Sequence, residues 1–205
     1  MPNIADVLTD RMLSRPRGRI ARVWWRDMKA HHEIFRDTLR VLELQPADNL
    51  LEIGCGGGTF VQWALESGCR ATAVDHSADM AALTTRNNAA AVRDGRLEVI
   101  EAIAEALPLP DDQFTCAAMA NVFCFLDAPR ALTELQRVLA PGARIVVHTV
   151  APNPPASVVP PPVARRMRLY SDGDLRALFE DAGFTEPDVT RIGAAFQLFT
   201  ASSRA

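Results

Sequence analysis

Short apolar runs alternate with segments of helical periodicity along most of this chain. Runs with the length and composition of buried strands lie near residues 49–53, 71–75, 97–101, 114–120 and 143–149. Apolar residues at helical spacing predict helices near residues 59–67, 78–90, 129–140 and 171–182. Since strands that alternate with helices usually pair in parallel, the pattern predicts an α/β fold with helices on both faces of a sheet.

Both ends of the chain add elements to this alternating region. Helices are predicted before it over Ile4–Leu13 and Ala21–Val41, and a closing hairpin after it over residues 186–191 and 194–201. The chain has 205 residues, of which 48% are hydrophobic, and this is enough for one domain with a substantial core.

A glycine-rich turn follows the first predicted strand. Glu52 lies near the end of that strand, and Gly54, Gly56 and Gly58 follow at alternate positions before an apolar, helix-compatible segment. Glycine permits positive φ and lets a ligand approach the backbone, and a helix start offers unpaired N–H groups. A dinucleotide fingerprint would need another glycine where Thr59 stands. The turn is predicted to hold a cofactor, and a tight strand–helix turn without a ligand is the alternative.

An acid ends the second predicted strand, where Asp75 stands 17 positions after Gly58. A carboxylate at this position can accept hydrogen bonds from ribose hydroxyls. Asp is also a common helix N-cap, so a purely structural role is the alternative.

Several motifs together resemble the class I S-adenosylmethionine (SAM)-dependent methyltransferases. The acid-x-Gly-x-Gly-x-Gly sequence over 52–58 is similar to the first motif of that family, and Asp75 matches its ribose-binding acid. Arg137–Arg144 resembles the family's Arg-Val-Leu-x-Pro-Gly-Gly turn, and Ala182–Phe184 resembles its Ala-Gly-Phe helix end. The resemblance covers roughly residues 44–184 and points to the small, single-domain members of the ubiquinone-biosynthesis type.

The resemblance implies a Rossmann-like, doubly wound sheet of seven strands, mostly parallel with an antiparallel last strand, in a single domain over 1–205. It implies SAM as the cofactor and S-adenosylhomocysteine as the product. The cofactor-binding residues that it implies are Glu52, Gly54, Cys55, Gly56, Asp75, His76, Met80, Ile103, Ala104 and Asn121. Ile103 stands where many relatives carry an Asp that reads the adenine amino group, and Thr115 stands where they carry another acid. Backbone and apolar contacts are therefore expected to hold the adenine.

Two regions outside the shared core are predicted to border the substrate. Residues 1–45 form N-terminal helices that cover the site, and the proline-rich segment 150–170 forms a lid or wall, with a passive surface loop as the alternative. Candidate substrate-binding residues are Trp24, Trp25, Met28 and Tyr170.

The candidate catalytic residues are His148, His31 and Tyr170. Histidine titrates near neutral pH and can act as a general base, and His148 ends a strand that points to the expected site. A surface or capping role is the alternative for His31. A base is needed only if the acceptor must lose a proton, so the sequence leaves the catalytic residue unassigned.

The composition is typical of a bacterial cytoplasmic protein without nucleic-acid or membrane partners. The net charge of −3 and pI of about 5.8 predict no strongly basic surface. No run approaches the roughly 20 apolar residues of a membrane helix, and the first residues lack the pattern of a secretory signal. The four cysteines have no C-x-x-C spacing, so reduced thiols and no metal site are predicted. Assembly as a homodimer is left open.

These features predict SAM-dependent methyl transfer to an O, N, C or S atom of a small molecule. The protein's main task would be to align the reacting atoms and exclude water. One alternative is a non-methylating reaction on the same fold, such as cyclisation or decarboxylation. Another is a non-catalytic binding partner, although such a protein would not need a complete glycine loop and ribose acid.

Overall fold

The computed structural model of the protein describes residues 31–204. Its strands are β1 Asn49–Ile53, β2 Arg70–Asp75, β3 Leu97–Glu101, β4 Phe114–Ala120, β5 Leu139–Val150, β6 Thr185–Ile192 and β7 Phe196–Ser202. Its α-helices are α1 His32–Leu42, α2 Thr59–Ala64, α3 Ala78–Asn87, α4 Ala89–Arg93, α5 Ala128–Val138, α6 Pro161–Ala164 and α7 Asp172–Asp181. The predicted helix Ile4–Leu13 and the first part of Ala21–Val41 lie outside the described residues.

The seven strands form one sheet in the order β3-β2-β1-β4-β5-β7-β6. The first five are parallel, and β7 is inserted antiparallel between β5 and β6. The predicted Rossmann-like sheet with an antiparallel last strand is therefore confirmed. The chain order reverses between β1 and β4, and ligands of such sheets bind at the carboxyl ends of the strands beside this switch point.

Two apolar cores cover the faces of the sheet. On one face, α5 and α7 pack through Leu132, Leu135 and Phe179 against strand residues such as Met119 and Phe199. The other face packs against α1, α2 and α4; its buried residues include Leu42, Phe60, Val61, Ala91 and Val146. The prediction of helices on both faces is thus confirmed, and the helices leave the carboxyl edge of the sheet to the loops.

Two element boundaries differ from the sequence prediction. The predicted helix 78–90 is broken at Asn88, whose side chain donates to the Gly58 carbonyl oxygen at 3.1 Å and thereby ties this break to the glycine-rich turn. β5 begins at Leu139, four residues before the predicted start, because Leu139 already pairs with Phe114. The extra residues are taken up by an irregular turn in which Gly142 has φ +74°.

Local hydrogen bonds and a glycine define the two ends of α7. Ser171 accepts a hydrogen bond from the Asp174 N–H at 3.1 Å, and the Asp174 carboxylate accepts one from the Ser171 N–H, which completes a capping box. Gly183 follows the helix with φ +92°, as expected of a glycine after a helix end. Within the described part of the chain, no helix is long and apolar enough to cross a membrane.

Candidate functional site

The glycine-rich turn follows β1 at the switch point of the sheet. Gly54, Gly56 and Gly58 all have positive φ, between +53° and +80°. A Cβ on Gly54 would lie 2.7 Å from Cγ2 of Val122, in the loop after β4. The turn therefore requires glycine at this position for two reasons, backbone conformation and close approach.

Side chains of the α3–α4 region hold the carbonyl oxygens of this turn. Thr84 donates to the Gly56 oxygen at 3.0 Å, and Asn87 donates to the Gly57 oxygen at 2.8 Å. Because both carbonyl groups are bound, the backbone of the turn cannot change conformation without losing these two hydrogen bonds. The sequence analysis missed this support, because nothing local to the motif indicates which later residues would reach it.

Asp75 joins the end of β2 to the turn. One carboxylate oxygen accepts from the Gly56 N–H at 3.0 Å, and the other accepts from the Ser77 N–H at 2.9 Å. Each oxygen retains a second lone pair for another donor. Asp75 therefore has the structural role that was the alternative, because its hydrogen bonds organise the turn into α3. The remaining lone pairs leave it able to bind a hydroxyl group as well.

A cavity of about 390 Å³ opens beside Asp75 at the carboxyl ends of β1, β2 and β4. This volume is within the usual range of small-molecule sites. The lining residues that the sequence analysis predicted are Gly54, Asp75, His76, Ile103 and Ala104. Those that it missed include Glu105, Val122, Phe125 and Leu126, which come from loops that only the tertiary fold brings to β2, whereas Arg166 belongs to the predicted wall segment 150–170.

The Ile103 side chain is 50% exposed, although it is large and apolar. It forms an isolated β-bridge with Ala106, in the loop that forms one wall of the cavity. Arg137 holds this loop from α5 by donating to the carbonyl oxygens of Leu107 at 2.9 Å and Leu109 at 2.8 Å. The apolar wall that the sequence predicted in place of an acid is therefore present and firmly supported.

A second, smaller cavity of about 30 Å³ also borders Gly54. Its wall includes His31 and Phe35 from the start of α1, together with Glu52, Cys55 and Ala120. Gly54 borders both cavities, so a molecule that extends from one to the other would pass over a residue with no side chain.

Glu52 is a buried acid, and its Oε2 has no hydrogen-bond partner within the described chain. Burial, together with the negative charge of Asp75, raises the pKa of Glu52 to about 8. At neutral pH the Glu52 side chain is therefore mainly protonated and can donate a hydrogen bond as well as accept one.

Glu52→Gln is expected to reduce the loss of stability at alkaline pH. Between the usual carboxyl pKa of 4.5 and about 8, the folded protein holds a proton on Glu52 that the unfolded chain has released, so stability falls as pH rises through this window. From pH 6 to pH 9, the free energy of unfolding of the wild type should fall by about 2.7 kcal/mol more than that of Glu52→Gln. Urea unfolding at both pH values measures the difference. Glu98→Gln, which alters an exposed carboxylate on β3, is the control, and parallel curves for wild type and Glu52→Gln would contradict the prediction.

His148 and Asn121 lie next to the small cavity and contact each other. His148 is fully buried near the end of β5, where it pairs in register with Ala120, a wall residue of that cavity. The Asn121 N–H donates to the His148 carbonyl oxygen at 2.8 Å, and Asn121 Oδ1 lies 3.2 Å from His148 Nδ1. Burial and the nearby His31 lower the pKa of His148 to about 4, so its ring is neutral at pH 7.

The structure does not bring every predicted residue to a cavity wall. Met80 is fully buried, Tyr170 packs against Phe123 with ring centroids 5.7 Å apart, and neither lines either cavity. Asn121 and His148 also line neither cavity, although Ala120, which pairs with His148, borders the smaller one. Trp24, Trp25 and Met28 lie outside the described residues.

Thr115 has a structural environment and does not reach the site. It lies near the amino end of β4, five residues and roughly 17 Å from the strand's other end. Its hydroxyl donates to Asp48 at 2.7 Å and accepts from the Asn49 N–H at 3.0 Å. The departure from the family pattern at Thr115 therefore has no bearing on the cofactor, contrary to the sequence analysis.

The proline-rich segment is fastened to one wall of the larger cavity. Arg168 donates from its backbone N–H to the Cys124 carbonyl oxygen at 2.8 Å and from its guanidinium to the Leu126 oxygen at 2.5 Å. Arg166, two residues earlier, lines the cavity. Within the described residues, no three His, Cys, Asp or Glu side chains are grouped to hold a metal ion.

Comparison with known proteins identifies the fold. Residues 51–147 match the family described as a methyltransferase domain. The chain is 36% identical over 108 residues to the demethylmenaquinone methyltransferase of Thermus thermophilus, covering 51% of this chain and 48% of that protein. A SAM-dependent methyltransferase of known structure from Aquifex aeolicus has a TM-score of 0.72 at 20% identity, covering 91% of this chain and 100% of that one. The cyclase SpnF also has a TM-score of 0.72, at 16% identity, covering 84% of this chain and 80% of that one, which shows a shared fold.

Residues 51–147, just under half of the chain, are thus similar to the methyltransferase-domain family, and the fold is that of known SAM-dependent methyltransferases. The resemblance inferred from the sequence motifs is therefore confirmed. The chain spans about half the length of the curated relatives it matches.

Proposed function

We propose that this protein transfers the methyl group of SAM to a small molecule. The observation that carries this proposal is the position of Gly54, which separates a cavity lined by Asp75 from one lined by His31 and Glu52. A cofactor bound across Gly54 would have its nucleoside on one side and its sulfonium region near the other. Methyl transfer requires the acceptor to reach that second side.

The residues around the larger cavity fit the nucleoside part of SAM. Asp75 has acceptor capacity for the ribose hydroxyls, and His76 lies next to it on the cavity wall. Ile103 offers an exposed apolar surface to the adenine, with Ala104 beside it. The absence of an acid at Ile103 removes one polar contact to the adenine amino group.

The residues around the smaller cavity fit the amino-acid part of SAM. Glu52 is buried with an unpaired oxygen, and the Gly56 N–H is already fixed by Asp75. A positively charged ammonium group near Glu52 would favour the ionised carboxylate, because an opposite charge lowers the pKa of an acid. Binding of the cofactor is therefore coupled to proton release from Glu52 in this proposal.

The acceptor side is formed by the start of α1 and by the proline-rich segment. His31 and Phe35 border the smaller cavity, and Arg166 borders the larger one. We propose that the N-terminal region and residues 150–170 act as walls that exclude water from the reaction. When SAM is bound, its sulfonium supplies an electrophilic methyl group, so the protein mainly contributes alignment and exclusion of water.

Calorimetric titration of the full chain with SAM and with S-adenosylhomocysteine tests the cofactor site. Dissociation constants in the micromolar range are expected for both ligands, which corresponds to a binding free energy of about −8 kcal/mol. Failure of both to bind would overturn the proposal. Because only SAM carries the methyl group, the product masses then decide the reaction: a methylated acceptor supports transfer, whereas an unchanged mass with rearranged bonds would indicate a cyclase-type reaction instead.

A further inference from the structure

The interaction between His148 and Asn121 determines which nitrogen of the imidazole carries the proton. Asn121 Oδ1 lies 3.2 Å from His148 Nδ1, and an amide oxygen can only accept a hydrogen bond. The proton of the neutral ring is therefore on Nδ1, and Nε2 carries a lone pair. His148 Nε2 is buried and has no hydrogen-bond partner within residues 31–204.

The backbone holds Asn121 in place for this contact. Asn121 has φ +60°, a left-handed conformation that Asn adopts more readily than most residues, and its N–H is bound to the His148 carbonyl oxygen at 2.8 Å. Two hydrogen bonds thus join the end of β4 to the end of β5, one through the backbone and one through the side chains. This arrangement orients the ring, and Phe196 packs against it with ring centroids 5.1 Å apart.

We propose that His148, oriented by Asn121, removes the proton from the acceptor, and that the acceptor is a small molecule with an ionisable hydroxyl group, such as a phenol or an enol. This inference rests on the proposed methyl transfer. Phe35 and Ala120 are apolar residues in the wall of the smaller cavity, so an acceptor that approaches the sulfonium from this side would meet apolar side chains. Asn121 is a positioning residue in this proposal, since its side chain acts through the imidazole.

The step balances in atoms and charge. The hydroxyl proton moves to Nε2 of His148, and the oxygen forms a bond to the methyl carbon while the carbon–sulfur bond breaks. The electron pair of that bond stays on sulfur, which leaves S-adenosylhomocysteine, a methyl ether and an imidazolium. One positive charge is present before the step, on the sulfonium, and one after it, on His148. The imidazolium then releases its proton to solvent.

The ring of His148 is uncharged at neutral pH. Burial and His31 lower the pKa of His148, and burial and His32 lower the pKa of His31 to about 4. At pH 7 both rings are therefore neutral, and the lone pair on His148 Nε2 is available for a proton.

The tautomer can be measured without knowledge of the natural acceptor. In ¹⁵N NMR spectra of the histidine-labelled protein with S-adenosylhomocysteine bound, His148 should show a protonated Nδ1 and an unprotonated Nε2 at pH 7. Asn121→Gly keeps the left-handed backbone and removes the acceptor, so it should shift the signal toward the other tautomer. Asn121→Asp keeps an acceptor oxygen and should restore it. A wild-type ring with its proton on Nε2 would overturn the proposal.

Turnover with two phenols of similar size tests the proton transfer. The first, 4-methylphenol, ionises near pH 10, as a tyrosine does, and 4-nitrophenol is largely ionised at an assay pH of 8.5. For 4-methylphenol, His148→Gln should reduce kcat about 100-fold or more, with little change in KM. For 4-nitrophenol the loss should be less than about tenfold, because no base is needed. Asn121→Gly should follow the same pattern, and Asn121→Asp should recover most of the turnover.

Thr115→Val is the control, because Thr115 lies near the amino end of β4, where its hydroxyl donates to Asp48 at 2.7 Å, and does not reach either cavity. It should leave the turnover of both phenols unchanged. Equal losses of turnover on both phenols in His148→Gln would indicate a structural role and overturn the proton transfer. Bound S-adenosylhomocysteine without methylation of either phenol by the wild type would overturn the hydroxyl class of acceptor. Failure to bind S-adenosylhomocysteine would instead overturn the proposed function itself.

Discussion

Replacing Gly54 by alanine is expected to weaken S-adenosylhomocysteine binding by at least about 100-fold, or roughly 3 kcal/mol. The added Cβ would lie 2.7 Å from Cγ2 and 2.8 Å from Cβ of Val122, and the residue would have to keep φ +77°. Left-handed backbone costs a residue with a Cβ about 1–2 kcal/mol, and overpacking of this kind typically costs about 1–3 kcal/mol more. The strain is relieved only if Gly54 or Val122 moves, and both border the larger cavity.

Gly142→Ala separates the cost of the left-handed backbone from the cost of the contact with Val122. Gly142 has φ +74°, nearly the same as Gly54, but a Cβ there would meet no atom within 4 Å. This variant should lose stability through its backbone and still bind S-adenosylhomocysteine with wild-type affinity. Calorimetry on both variants, with circular dichroism to verify folding, makes the comparison. Wild-type affinity in a folded Gly54→Ala protein would refute the idea that the cofactor passes over Gly54.

Asp75→Ala is expected to weaken binding of both SAM and S-adenosylhomocysteine by more than about tenfold, or roughly 1.4 kcal/mol. The substitution removes the acceptor proposed for the ribose hydroxyls, and hydrogen bonds to a charged group are among the stronger ones. It also frees the Gly56 N–H, which the carboxylate holds at 3.0 Å, so the glycine turn loses one of its anchors. Both consequences reduce affinity for the cofactor.

Asp48→Ala provides the matched control for Asp75→Ala. Asp48 is also buried, at 7% exposure against 6% for Asp75, and it accepts a hydrogen bond from the Gln45 N–H at 2.8 Å. It lies just before β1, at the opposite end of the sheet, where it also pairs with Arg144 at 2.7 Å. Asp48→Ala should lower the melting temperature without changing cofactor affinity. Similar losses of affinity in the two variants would show that Asp75 acts through general stability alone.

The sequence determined the features of this protein that depend on local constraints. Alternating apolar runs and helical segments predicted a parallel sheet because strand and helix periodicities are properties of neighbouring residues. The acid-and-glycine turn was recognisable because positive φ and close backbone approach restrict the residue type at single positions such as Gly54. The helix end at Gly183 was recognisable for the same reason.

The tertiary structure alone decided which distant residues meet around that turn. Asn87 binds the Gly57 carbonyl across 30 positions of the sequence, and Asn121 reaches His148 across 27. Neither contact has a local signal, because each depends on strand order and register and not on periodicity. The same is true of Thr115, which the sequence associated with the cofactor and the fold puts at the far end of β4. The sequence thus determined the fold and the glycine-rich turn, whereas the packing of distant strands and loops decided which side chains line the two cavities.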